Sequence, residues 1–94
     1  MTIDRLEWDD WNTDHLAKHG VTPQQAAEVI AGASIARETY KGRLQVIGPT
    51  QHGVMLSVVV GPVPDQPGSY YVFSARPASR KERAFYQHQQ GASL

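Results

Sequence analysis

The hydrophobic pattern changes period once, near Ser34. Before that point apolar residues recur at helical spacing, and after it they run together or alternate as in strands. Ile3, Leu6 and Trp8 fit a short opening strand, interrupted by Asp4 and Arg5. Asp10 to His19 has the polarity of a short helix, with Trp11, His15 and Lys18 on one side and Gly20 as its left-handed cap. Thr22-Pro23 reads as an N-cap followed by proline at the first helical position. Ala26, Val29 and Ile30 then form an apolar stripe that Gly32 ends.

Past Ser34, Ile35 to Tyr40 and Arg43 to Ile47 read as two strands joined by a tight turn at Lys41-Gly42. Val54 to Val60 is a nearly continuous apolar run, which marks a strand buried on both faces, and Tyr70 to Ala75 is a further strand. The stretch from Gly61 to Gly68 between them holds three of the six prolines and reads as an exposed hairpin loop. Ser79 is an N-cap with Glu82 three residues on, so a helix runs from Arg80 to about Gln90. The pattern predicts an α+β fold in one domain, residues 1–94. It has two N-terminal helices, a curved antiparallel sheet of about four strands and a C-terminal helix.

Composition narrows the function classes. Ninety-four residues fold one core but do not enclose a deep cofactor cleft, so a site is expected on an open groove. There is no cysteine, which removes disulfides and thiolate metal sites. No apolar run reaches the roughly 18 residues of a membrane span and the polar N-terminus is unlike a signal peptide, so a cytoplasmic protein is expected. Net charge is zero but unevenly spread: residues 1–41 hold seven acids against four bases, and residues 42–94 five bases against two acids. Such polarity suits a local anion site, and equally two halves that attract each other.

The strongest candidate for that site is the junction Ser74-Ala75-Arg76-Pro77-Ala78-Ser79-Arg80-Lys81-Glu82-Arg83, where a strand end meets a helix start. Unpaired N–H groups at a helix start favour anions, and guanidinium forks beside them suit phosphate. The alternative is a solvated helix face whose arginines pair with the protein's own carboxylates. His15 and His19 stand at i, i+4 and can act as a base and acid pair, as metal ligands, or as packing groups. The metal reading is weak, because no third ligand lies at a metal-motif spacing. Trp11 is open to base stacking. Arg43, at the head of a strand, is a second phosphate fork or a partner of Glu38 across the hairpin. Tyr86 shares a helix face with Arg83, to orient it or to pack on the sheet.

The Ser74–Tyr86 segment resembles the C-terminal signature of the BrnT family of bacterial toxins, S/T-A-R-x-x-T/S-R-x-E-R-x-x-Y. Glu7-Trp8-Asp9 with Lys18-His19-Gly20-Val21 is similar to the family's opening. Thr22 to Val29 resembles the helix that follows, and Arg43 to Gly48 resembles a central strand; residues 32–42 and 61–69 carry no match. The resemblance implies a RelE-like fold and the toxin of a type II toxin–antitoxin pair, a cofactor-free ribonuclease that arrests translation. Its partners would be RNA and a cognate, DNA-binding antitoxin held in a hetero-oligomer. By position, it implies Arg76 and Arg80 as a phosphate clamp, with Arg43, Lys81, Arg83 and Tyr86 in support and Lys18 and His19 for proton transfer. Where many members carry an arginine just before the S/T-A-R serine, this chain has Tyr71 and Val72. That thins the cationic site and leaves an alternative, a non-catalytic module of the same fold that binds an antitoxin or another protein.

Overall fold

A computed structural model describes residues 3–92. The elements are β1 (Arg5–Glu7), α1 (Asp10–Ala17), α2 (Pro23–Ala31), β2 (Ile35–Glu38), β3 (Leu44–Pro49), β4 (Met55–Pro62), β5 (Ser69–Pro77) and α3 (Arg80–Ala92). The α+β order expected from the sequence is the one observed. The sheet, however, has five strands in the order β1-β5-β4-β3-β2, and one of its pairings is parallel. The extra member is the opening segment, which pairs Leu6 with Tyr70 at the edge of β5. A three-residue strand is too short to display a period of two, so its sequence signal is faint. The backbone N–H groups of Asp4 and Arg5 both donate to the Gly68 carbonyl and secure its start.

Local chemistry explains the element ends. Asp9 and Asn12 form a reciprocal capping box on α1, as Thr22 and Gln25 do on α2. Helix α1 stops at Ala17, two residues earlier than expected, because the N–H groups of His19 and Gly20 turn back onto Leu16 and Ala17, with Gly20 at φ +73°. Lys41 (φ 62°) and Gly42 (φ 73°) are both left-handed, the conformation of a two-residue turn whose twist matches its flanking strands. Val54 lies outside β4 and is exposed.

The sheet has two unlike faces. Leu16, Ala26 and Val29 of the first two helices pack on Val46, Leu56, Val58, Val60, Val72 and Ala75, which form one buried core. Strand alternation sends the intervening residues Gln45, Ile47, Ser57 and Val59 to the opposite face. There α3 meets the sheet, with Glu82 bonded to Gln45 and the Phe85 ring under the Arg37 guanidinium. Among the described residues no helix is long and apolar enough to cross a membrane.

Candidate functional site

Helix α3 leaves much of the second face uncovered. What remains is an open groove of about 630 Å³, floored by Val59, Phe73 and Ser74. Its floor is shaped by a β-bulge: Val59 pairs with Ser74 and Val60 with Val72, so Phe73 is the extra residue. Bulges re-aim side chains and increase local twist. Gly61 lies opposite, and a Cβ there would stand 2.8 Å from Phe73 Cε2 and 3.5 Å from Arg43 Cγ. The missing side chain is what lets both lie flat.

Arg43 sits in this groove with its guanidinium carbon 3.7 Å from the Phe73 ring centroid and 5.6 Å from that of Tyr40. It makes no ion pair among the described residues, so the expected alternative of a bridge to Glu38 is not formed. A cation over an aromatic face keeps its hydrogen-bond donors for another partner. Tyr40, with 66% of its surface exposed, and Lys41 belong to the same turn.

Trp11 lines the groove from α1 and is 59% exposed. Its position is over-determined. The Asn12 amide donates to the carbonyls of Glu7 and Val72 at 3.0 and 3.1 Å, and the Tyr71 hydroxyl donates to both Asp9 carboxylate oxygens at 2.9 and 3.0 Å. Burial, and then Asp9, raise the Tyr71 phenol above its usual pKa, so it stays a donor. His15 stacks on Trp11 at 4.9 Å between centroids, and His19 meets His15 edge-on at 5.8 Å.

Arg76 is held differently. Its two terminal nitrogens each donate to one oxygen of Glu82 at 2.8 Å, a bidentate pair. Glu82, only 8% exposed, also accepts from the Ser79 N–H at 2.8 Å and from Gln45 Nε2 at 2.7 Å. Gln45 in turn bonds Ser57 and Arg37. The Arg76 guanidinium, with help from the Ser79 N–H and Gln45, holds the Glu82 carboxyl down at about 2. Arg76, expected as a phosphate clamp, here has its fork closed on the carboxylate that caps α3.

The structure thus brings together Trp11 and Arg43 in the groove, with His15 behind Trp11 and Arg76 on the strand that floors it. Arg80 and Lys81 are exposed on the first turn of α3, and Arg83 donates to the Ala78 carbonyl. Tyr86 donates to the Ala33 carbonyl and anchors α3, so it packs and does not orient Arg83. Lys18 and His19 do not line the groove; both lie past the end of α1, with His15 standing between His19 and Trp11. No cluster of three metal-ligating side chains occurs among the described residues. Sequence reasoning missed Tyr40, Tyr71 and Phe73 as groove residues; Tyr40 was expected to end a strand, whereas β2 stops at Glu38 and leaves it in the turn, and nothing local announces the bulge at Phe73.

The groove and sheet define an α+β fold with one open, cation-bearing sheet face. A solved structure shares the fold: the Brucella abortus ribonuclease toxin BrnT superposes with a TM-score of 0.63 at 24% identity, covering 80% of this chain and 96% of that one. The expected likeness to BrnT holds for the fold. No family model matches the chain, and no curated protein matches it by sequence.

Proposed function

We propose that the protein is the toxin of a type II toxin–antitoxin pair and cleaves RNA in the groove. The observation that carries this reading is an unpaired arginine, Arg43, seated on aromatic rings in the open face of a fold shared with a ribonuclease toxin. The reaction needs no cofactor. The RNA 2′-hydroxyl attacks the adjacent phosphorus in line, the 5′ oxygen leaves, and a cation stabilises charge on the phosphoryl oxygens. Arg43 is suited to that last role, with Arg80 and Lys81 on the neighbouring helix start drawing in the strand. Among the imidazoles, His15 is the one stacked on a groove residue, and we assign it the proton transfer in preference to Lys18 and His19. The cognate antitoxin would cover the same face in a cytoplasmic hetero-oligomer.

Expression alone should arrest growth, co-expression of the adjacent small gene should relieve it, and purified protein should cleave RNA in EDTA to leave cyclic phosphate ends. Normal growth at high soluble expression with intact RNA would defeat the proposal. One observation favours a second reading. Closure of Arg76 on Glu82 removes a cation from the phosphate site, as expected of a non-catalytic module that binds an antitoxin or another protein. Growth arrest without RNA cleavage is its signature.

A further inference from the structure

The groove is polarised. Arg43 and Lys41 lie on the β2–β3 turn, whereas Asp9 stands at the opposite side, at the head of α1, bonded to Tyr71. A phosphate is drawn to the turn and repelled by the carboxylate, so a nucleic-acid backbone has only one favourable side. Aromatic groups line the groove: Trp11 from α1, Tyr40 from the turn, and Phe73 from β5 under Arg43. Both Trp11 and Tyr40 are largely exposed, so each presents ring surface to a molecule entering the groove. The space of about 630 Å³ lies within the roughly 300–1,000 Å³ of sites that seat small organic ligands.

We infer that the groove seats one unpaired nucleobase between Trp11 and Tyr40, with Arg43 taking the phosphate beside it, so that single-stranded and not duplex RNA is bound. This rests on the reading of the protein as an RNA-cleaving toxin and adds the form of substrate and the residues that select it. A base stacked inside a duplex presents no free face to either ring, whereas an unstacked base presents two. His15 against Trp11 and the Asn12 and Tyr71 bonds beneath hold the indole before a base arrives, which limits the entropy lost on binding.

The test uses intrinsic tryptophan fluorescence of the purified protein, titrated with a short single-stranded RNA made uncleavable by 2′-deoxy substitution, and with the same strand annealed to its complement. The wild type should bind the single strand with quenching and the duplex far more weakly. Trp11→Ala, followed by fluorescence anisotropy of a labelled strand, and Tyr40→Ala should each weaken single-strand binding by about 5- to 150-fold while leaving its salt dependence unchanged. Arg43→Ala should instead flatten the log–log salt slope by about 0.7. Since both aromatic residues are exposed, neither truncation opens a core cavity, and unchanged circular dichroism and Tm confirm it. If the wild type binds and cleaves RNA but the two aromatic variants bind as it does, or if duplex binds equally well, the base clamp is wrong and the nuclease reading survives. If the wild type neither binds nor cleaves any RNA, both fall.

Discussion

Arg43 and Arg76 share one face of the sheet but not one fate. Arg76 meets a carboxylate of matching geometry, Glu82, and both its terminal nitrogens are spent on it. Among the described residues the Arg43 guanidinium meets the rings of Phe73 and Tyr40 and makes no ion pair, so its donors remain open. A guanidinium costs little to leave at a half-solvated site, whereas a carboxylate as buried as Glu82 must be paired. The arginine nearest a buried acid is therefore recruited to the fold, and the one with no acid partner among the described residues keeps its donors for the role proposed above. Proximity to a helix start, which singles out Arg76 in the sequence, does not show which arginine keeps free donors.

The largest test of this contrast is to remove the acid. Glu82→Ala deletes the Arg76 partner, the acceptor of the Ser79 N–H and the acceptor of Gln45 together. It should lower unfolding free energy by about 2–4 kcal/mol, the sum expected of a lost helix cap and charge-assisted bonds, measured by urea denaturation. If stability is unchanged, Glu82 is not what commits Arg76.

Acid should dissolve the same pair reversibly. The Glu82 carboxyl is lowered from 4.5 to about 2 in the folded protein, so its stabilising contribution is complete above about pH 4.5 and is lost as pH falls toward 2. A shift of that size corresponds to on the order of 3 kcal/mol. Glu82→Gln should flatten this acid limb of the stability curve, and an identical limb in wild type and variant would assign it to other carboxylates.

Much of this fold is legible in the chain. Capping boxes at Thr22 and Ser79, the Lys41-Gly42 turn and the long apolar β4 are local signals, and each stands where its chemistry puts it. The Arg76 pairing was half legible. Glu82 could be read as a cap residue, but a cap with 8% exposure has lone pairs that need a second donor, and burial is a tertiary property. The groove was least legible. It depends on the bulge at Phe73, the absent side chain at Gly61 and the incomplete cover by α3, none of which has a periodic signature.

A matched pair of truncations sharpens the comparison further. Arg76→Ala leaves Glu82 buried without its cation and should cost about 1–3 kcal/mol of stability. Arg43→Ala loses contacts over the exposed Tyr40 and half-buried Phe73 rings and should cost less than about 1 kcal/mol. The two should separate in the opposite sense when RNA binding is followed, with Arg43→Ala the more damaging. Equal stability losses would mean that Arg43 too is structural.

A last substitution isolates the floor beneath Arg43. Gly61→Ala places a methyl group 2.8 Å from Phe73 Cε2, closer than such carbons approach, so the ring must shift. The ring borders an open groove and can give way outward, which keeps the cost of overpacking near the bottom of its usual range, about 1 kcal/mol. Its displacement takes away the surface on which the Arg43 guanidinium lies at 3.7 Å, while the Arg76–Glu82 pair on the far side of Ser74 keeps its geometry. Gly61→Ala should therefore weaken RNA binding several-fold with the acid limb of the stability curve unmoved. If binding is retained in full, Arg43 does not need the Phe73 platform, and its freedom from carboxylates alone accounts for its role.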